Sequence, residues 1–377
     1  MTLMQTVLKR LSPLVAAAGL LGCAAGSAPQ APTPLQGFTP LMNVVQVWRT
    51  QLPSPIGETL RARGVGQALA VATSGGHVSV LSASNAQSLW SVNVQDDVVA
   101  GVGFDGTTAA VATTRNQLVA AANGQVLWRA QLPARTYTQP LVAGERVFVL
   151  LADQSLSAFD ARNGAPLWTQ RYSGEPLVLA HPGLLVAVGN ALVVGVGERL
   201  VAMNPDNGVA AWDVPLAQPR GVDEVERLVD LVSEPAVIGS VVCARAYQAA
   251  VSCVDMTARA RAWTALSDGA NGLSGDAQAV FSTDGAGRVK AWATRSGKEL
   301  WTSSGLLYRG LTTPLVLGKT LVVGDAQGYM HWLSRDNARV MARLPTDGSA
   351  IVGAPVLVDG TLIALTAKGG VFAWRPE

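Results

Sequence analysis

The sequence predicts an all-β protein, an eight-bladed β-propeller of four-stranded antiparallel blades. Tryptophan recurs at intervals of 38 to 51 residues, each interval carries the signals of four short strands, and the composition favours buried strands joined by tight turns. The recurring tryptophans are Trp48, Trp90, Trp128, Trp168, Trp212, Trp263 and Trp301, and Met341 occupies the equivalent position of one more unit. A four-stranded unit that repeats every 40 residues or so is typical of a propeller.

The composition agrees with this class. Of 377 residues, 49% are hydrophobic and 39 are glycine, whereas only 14% are charged; globular proteins average about 25% charged residues. A disordered chain would show the opposite balance. The formal net charge is only +2, so the sequence has no basic excess that would point to nucleic acid as a general partner.

One repeat unit shows how the strands are recognised. Val147 to Leu151 is a continuous apolar run, and Leu156 to Asp160 follows it after a turn. Asn163-Gly164 suits the next tight turn because both residue types tolerate positive φ, and Trp168 lies in the fourth strand. A lone sheet of this kind cannot bury both faces, so we expect the blades to pack radially with the tryptophans between them. A parallel β-helix would show less of this hairpin pattern.

The two ends of the chain predict how the propeller closes. The last unit, Ala354 to Trp374, supplies three strands before the sequence ends. An apolar segment from Val44 to Arg49 precedes the first complete unit and has no blade of its own. We expect this N-terminal strand to complete the last blade, because that pairing removes an open sheet edge.

The N-terminal residues predict export. Lys9 and Arg10 precede an apolar run that ends at Gly22, which is too short to span a bilayer and typical of a signal peptide over residues 1–22. Leu20-Leu21-Gly22-Cys23 resembles the lipobox of bacterial lipoproteins, which implies that Cys23 is acylated and becomes the new N-terminus. The alternative is a plain signal peptide that happens to contain a cysteine.

The residues after Cys23 predict a tether and a location. Residues 24–40 are rich in Ala, Pro and Ser, so we expect residues 23–41 to form a flexible tether and residues 42–377 to form the propeller. Ala24, rather than aspartate, would be the second residue of the mature chain. In such lipoproteins this implies transfer to the outer membrane, with the protein lipid-anchored on the periplasmic face.

The remaining cysteines allow two interpretations. Cys243 and Cys253 flank a short predicted hairpin, and an even number of cysteines in an oxidising compartment favours a disulfide. Two buried free thiols are the alternative. The three histidines, His77, His181 and His331, show no metal-ligand spacing, so no metal site is expected.

A long charged connection stands out between the fourth and fifth blades. Seven of the fifteen residues from Arg220 to Glu234 are charged, five acidic and two basic, and valines and leucines are interleaved with them. Exposed apolar residues on a charged loop favour a docking surface for another protein. A solvated loop or a short helix packed on the propeller is the alternative.

Several motifs resemble a known family. The repeat tail from Phe159 to Trp168 is similar to that of pyrroloquinoline-quinone-like repeat propellers, and Val323 to Leu333 resembles the seventh-blade signature of the outer-membrane protein assembly factor (BamB) family. The resemblance covers the chain from about residue 42 to its end. It implies a scaffold without a cofactor that binds the periplasmic domains of the barrel-inserting protein (BamA type) and its assembly complex. Nascent outer-membrane proteins are a further implied partner.

The resemblance also implies which residues bind the partner. The segment from Glu224 to Asp230 matches the family's partner-binding loop, and a second contact region matches it through two leucines before the fourth blade. The implied contact residues are Leu177, Leu179, Glu224, Arg227, Leu228 and Asp230. Val232 stands where the family often has a second aspartate, so the resemblance does not extend to the ion pair of that aspartate. A place at the end of a core strand is the alternative for the leucines.

Two other functional classes share this architecture. A quinone-dependent dehydrogenase would need a cofactor clamp and a catalytic carboxylate, but the aspartates such as Asp153 and Asp325 fall at turn positions. Glycine motifs such as Gly195-Val196-Gly197 lie in hairpins rather than before a helix. A cell-wall or carbohydrate-binding propeller would need clustered loop aromatics, yet only 6% of residues are aromatic. We therefore expect no catalytic activity.

Overall fold

The computed structural model describes residues 30–172, 179–218 and 229–376. Within these ranges, and in the compact unit that begins at Pro32, the strands form eight four-stranded antiparallel sheets. This arrangement confirms the predicted propeller. The described residues contain no helix with the length and apolar character needed to cross a membrane.

The strands in chain order are β1 (Val44–Gln51), β2 (Arg63–Val65), β3 (Ala68–Ala72), β4 (His77–Ser82), β5 (Ser88–Asn93), β6 (Val98–Phe104), β7 (Ala109–Thr113), β8 (Gln117–Ala122), β9 (Gln125–Gln131), β10 (Leu141–Ala143), β11 (Arg146–Leu150), β12 (Ser155–Asp160), β13 (Pro166–Arg171), β14 (Leu185–Val188), β15 (Ala191–Val196), β16 (Arg199–Met203), β17 (Ala210–Pro215), β18 (Leu231–Ile238), β19 (Val241–Ala246), β20 (Ala250–Asp255), β21 (Ala260–Leu266), β22 (Leu273–Gly275), β23 (Ala279–Thr283), β24 (Val289–Ala293), β25 (Glu299–Ser303), β26 (Leu315–Leu317), β27 (Thr320–Gly324), β28 (Tyr329–Ser334), β29 (Val340–Pro345), β30 (Ile351–Val358), β31 (Thr361–Thr366) and β32 (Gly370–Pro376). Blade 1 contains β2 to β5, and each later blade takes the next four strands. Blade 8 contains β30, β31, β32 and β1.

The closure of the ring is as predicted. Strand β1 pairs antiparallel with β32, from Val44 opposite Pro376 to Gln51 opposite Gly370. The N-terminal strand is thus the outermost strand of blade 8, and the two ends of the propeller are held together by a full strand ladder.

The repeat tryptophans connect neighbouring blades. The indole N–H of Trp128 in blade 2 donates to the carbonyl of Ala161 in blade 3 at 2.8 Å. Equivalent bonds run from Trp48 to Ala83, Trp168 to Pro205, Trp263 to Thr294 and Trp301 to Arg335. Each of these tryptophans therefore fills the space between two blades and pairs its only polar atom there, as buried indoles generally do.

The Trp128 ring also explains one glycine of the repeat. A Cβ atom placed on Gly164 would lie 2.6 Å from the Trp128 ring, and the residue adopts a φ of +74°. Both the close approach and the left-handed backbone require glycine. The Asn-Gly pair therefore serves the turn and the contact between blades at once.

Part of the predicted tether is held against the propeller. The N–H of Thr33 donates to Leu307 O, and the N–H of Leu41 donates to Met341 O on β29, both at 2.9 Å. Leu35 packs on the apolar cluster between blades 6 and 7, and the Arg343 guanidinium lies 5.0 Å from the Phe38 ring centre. We call residues 33–41 the strap. Residues 23–29, including Cys23, lie outside the described residues, so the tether remains a prediction for them.

A buried ionic cluster lies under the strap. The Asp325 carboxylate is fully buried and accepts hydrogen bonds from Arg309 at 2.7 Å and from Nε2 of His331 at 2.9 Å. Arg309 in turn donates to the carbonyl of Thr33 at 3.0 Å. On the other side of the ring, Nδ1 of His331 faces Nε of Arg343 at 3.4 Å, which suits a neutral imidazole that accepts there. The cluster thus holds the strap through two arginines.

The electrostatics of this cluster predict a loss of stability in acid. Burial lowers the pKa of His331 below its ordinary value of 6.5, with Arg343 and Arg309 acting in the same direction. Near pH 6.5 and below, His331 therefore binds a proton in the unfolded chain but stays neutral in the folded chain. The free energy of unfolding therefore falls as the pH drops through this range. Burial alone would raise the pKa of Asp325, but hydrogen bonds from His331 and Tyr329 bring it below 3.8. The folded carboxylate therefore resists protonation, which adds a further loss below about pH 4.

Urea unfolding between pH 8 and pH 5 checks this prediction. The free energy of unfolding of the wild-type protein is expected to decrease below pH 6.5, and His331→Gln is expected to flatten that dependence whatever its effect at pH 8. An unchanged pH slope in His331→Gln would show that another group is responsible.

Candidate protein-docking site

Two connections between blades meet on one face of the propeller. One joins β13 to β14 and the other joins β17 to β18, and their described parts form a short ladder. The N–H of Leu179 donates to Oδ2 of Asp230 at 2.8 Å, and the N–H of Ser233 donates to Pro182 O at 2.7 Å. Next to the bond between Ser233 and Pro182, Gly183 forms an antiparallel bridge with Val232.

This ladder brings together two of the residues that the sequence placed in the site, Leu179 and Asp230. The other four implied contact residues, Leu177, Glu224, Arg227 and Leu228, lie outside the described residues. Val232 is almost completely buried. The position where a second acidic group was considered is therefore part of the packed ladder.

Asp230 is fixed on several sides. Its carbonyl accepts the N–H of Tyr247, and the following N–H of Leu231 donates to Gly197 O, both at 2.9 Å. Burial raises the pKa of the Asp230 carboxyl, and nearby Glu198 acts in the same direction, whereas the hydrogen bond from Leu179 opposes them. The carboxyl is thus partly sheltered from solvent.

An open depression of about 740 Å³ lies beside the ladder, between blades 4 and 5. Its apolar lining includes Leu179, Leu216, Val229 and Leu266, and Leu266 is 69% exposed. Charged and polar groups at its border are Arg261, Asp268, Tyr247 and Gln248. Leu216 and Val229 are buried at its floor, so Leu266 is its exposed apolar side chain. Exposed apolar side chains beside polar groups are common on protein-binding surfaces. We call this depression, together with the ladder, the docking surface.

Sequence reasoning missed the contribution of blade 5 to this surface. Tyr247 lies in the turn between β19 and β20, and its ring is 5.3 Å from the His181 ring of the opposite connection. Leu266 ends the outer strand β21. Neither position departs from the repeat pattern, so only their spatial proximity to Leu179 identifies them.

A buried arginine supports the border of the depression. Arg245 on β19 is 1% exposed and donates to the carbonyls of Asn271 at 2.7 Å, Asp268 at 2.5 Å, Ser267 at 3.2 Å and Thr283 at 3.3 Å. Burial lowers the pKa of this guanidinium to about 10, although Asp284 and Asp268 act in the opposite direction. It therefore stays charged at neutral pH and holds the connection between β21 and β22 beside the docking surface.

The two remaining cysteines lie in the same blade. Cys243 on β19 and Cys253 on β20 occupy directly opposite register positions, both are fully buried, and the structure joins their sulfur atoms in a disulfide. This bond cross-links the two middle strands of blade 5, with Arg245 on β19 and Tyr247 in the turn that joins them. Among the described residues, no group of three or more His, Cys, Asp or Glu side chains is placed to hold a metal ion.

The fold and the repeat define a propeller of the pyrroloquinoline-quinone-like repeat class. A family model described as outer membrane protein assembly factor BamB matches residues 74–303. The BamB of Burkholderia pseudomallei is 35% identical, covering 98% of this chain and all of its own length. The BamB of Bordetella pertussis is 32% identical, covering 91% of this chain and 90% of its own. The chain therefore belongs to the BamB family.

The fold comparison agrees. The crystal structure of BamB from Moraxella catarrhalis superimposes with a TM-score of 0.80 and covers 88% of this chain and all of that one, at 24% identity. At this identity the comparison establishes the shared propeller, and the sequence relatives establish the family.

Proposed function

We propose that this protein is a non-catalytic scaffold lipoprotein of the outer-membrane β-barrel assembly machinery. It binds the periplasmic domains of the barrel-inserting protein (BamA type) and aids the folding and insertion of outer-membrane proteins. The relatives that match almost the whole chain are named as assembly factors. The observation that carries the proposal in this molecule is the docking surface, where Leu179 and the exposed Leu266 lie next to charged groups.

The lipid anchor is part of the same proposal. Cys23 carries the lipid and holds the protein on the periplasmic face of the outer membrane. Because the strap begins at Thr33, only ten residue steps separate it from Cys23, and a fully extended chain of that length spans about 35 Å at most. The propeller would therefore work close to the membrane, where the barrel-inserting protein resides.

A binding titration tests the function and the surface together. The mature chain without its lipid, residues 24–377, is titrated with the periplasmic domains of the barrel-inserting protein from the same cell. Leu266→Arg places a charge in the apolar depression and is expected to weaken binding by about tenfold or more, since buried apolar anchors concentrate interface energy. Leu300→Arg is the matched control, because Leu300 is also an exposed leucine on an outer strand, at 50% exposure, but lies on blade 6.

The outcomes separate the two parts of the proposal. Wild-type binding that is lost in Leu266→Arg and retained in Leu300→Arg supports both the function and the surface. Equal binding by all three proteins would keep the function and place the partner elsewhere on the propeller. A wild-type protein that does not bind at tens of micromolar would contradict the proposed function.

A further inference from the structure

We infer that Asp230 acts on the docking surface from within, as a positioning residue that ties the two connections together, and that it does not form an ion pair with the partner. This inference rests on the proposed function. The family resemblance alone would make Asp230 an acidic contact for a basic partner group. In the geometry of this chain, the Asp230 carboxylate instead holds the two connections together.

The carboxylate bridges two segments that are far apart in sequence. Its Oδ2 accepts the N–H of Leu179 at 2.8 Å across 51 residues. The same two segments also pair through their backbones, where Gly183 bridges Val232 and Ser233 donates to Pro182 O. The side-chain acceptor thus adds a contact between the two connections that lies outside the register of the backbone pairs.

The surroundings of Asp230 favour this inward role. Its backbone is held by Tyr247 on one side and through Leu231 by Gly197 on the other. Turning the carboxylate outward would break the bond and leave the Leu179 N–H without its acceptor, which is costly for a sheltered backbone group. Among the described residues, Glu198 is the charged group that acts on the Asp230 carboxyl, so a second negative charge lies close by.

The consequence for binding passes through Leu179. This leucine lines the large depression between blades 4 and 5 and also a smaller one between blades 3 and 4 that contains Asp230 and His181. The hydrogen bond to its backbone therefore sets where an apolar anchor of the docking surface stands. For this task Asp230 has to offer an oxygen acceptor, whereas its negative charge is not required.

Two substitutions separate acceptor from charge. Asp230→Asn keeps a side-chain oxygen in reach of the Leu179 N–H and removes the charge, whereas Asp230→Ala removes both. Asp230→Asn is expected to bind the periplasmic domains of the barrel-inserting protein within about threefold of wild type, and Asp230→Ala about tenfold more weakly, since tenfold corresponds to the net value of one such hydrogen bond. Asp230→Ser, whose hydroxyl is too short to reach, is expected to behave like Asp230→Ala.

Hydrogen exchange at the Leu179 amide and the salt dependence of binding complete the test. The amide is expected to be protected in wild type and Asp230→Asn and to exchange faster in Asp230→Ala, and the salt dependence of the dissociation constant is expected to be equal for wild type and Asp230→Asn. If Asp230→Asn binds as weakly as Asp230→Ala and loses salt dependence, Asp230 pairs directly with the partner and the inference is wrong. If wild type does not bind at all, the proposed function fails, while amide exchange still decides whether Asp230 holds the connection.

Discussion

Replacing Trp128 by alanine is expected to lower the free energy of unfolding by about 3–5 kcal/mol, the range for large aromatic side chains removed from a packed core. Trp128 is 8% exposed, its ring lies against Gly164 of the next blade and stacks near Phe159 with the centroids 6.4 Å apart. The substitution removes this packing and leaves the carbonyl of Ala161 without its indole donor. Both losses fall on the same contact between blades 2 and 3.

Chemical denaturation followed by circular dichroism measures this effect, with Leu127→Ala as the matched control. Leu127 is the preceding residue of the same strand but is 46% exposed, so its truncation is expected to change stability by less than about 0.5 kcal/mol. Trp128→Phe should fall between the two, since it keeps most of the packing and loses the hydrogen bond. A loss below about 1 kcal/mol in Trp128→Ala would mean that the neighbouring blades close the gap by themselves.

Replacing Arg245 by alanine is expected to lower the free energy of unfolding by about 3 kcal/mol, because buried carbonyl groups lose the guanidinium that donates hydrogen bonds to them. Four carbonyls, from Ser267, Asp268, Asn271 and Thr283, accept from this one side chain. Three of them belong to the connection that borders the docking surface, so we also expect this connection to exchange its amides faster and the partner to bind more weakly.

Arg261→Ala is the matched control for the effect of this substitution on stability. Arg261 is an exposed arginine of the same blade, and within the described part of the chain it donates a weak hydrogen bond to Pro215 O at 3.4 Å. Its removal should leave stability within about 0.5 kcal/mol. If Arg245→Ala unfolds at the same denaturant concentration as Arg261→Ala, water replaces the guanidinium without penalty and the supporting role assigned to Arg245 is wrong.

A cavity-creating substitution between two blades should loosen the contact between those blades first, even where it lowers the stability of the whole propeller. Each blade of a propeller contacts only its neighbours, so the core is divided into clusters such as the one in which Phe148 and Leu156 of blade 3 meet Leu192 and Val194 of blade 4. Closure through β1 and β32 joins these clusters into one ring. Weakening one contact therefore loosens a particular pair of blades first, and amide exchange in Trp128→Ala should increase most on β9 and β12.

Sequence by itself determined the blade number, the strand order within each blade and the closure by β1. The reason is that these features depend on short stretches of sequence. These are apolar runs of strand length, turn residues that tolerate positive φ, and a tryptophan at one position of most units. The long charged connection after Trp212 was also visible as a break in the repeat. Its described end, from Val229 to Asp230, does contribute to the candidate site.

Tertiary structure alone decided what these segments touch. The Ala- and Pro-rich composition of the N-terminal region predicted a flexible tether, yet Leu35 and Phe38 of the strap pack on the propeller. Arg309 and Arg343, roughly 270 to 310 residues away, donate to the strap carbonyls of Thr33 and Gln36. Likewise, nothing near Asp230 in sequence indicates that its carboxylate faces Leu179 rather than solvent. Composition and spacing report how a residue behaves on average, whereas burial, hydrogen-bond partners and the neighbours of Leu266 depend on chain segments that only folding brings together.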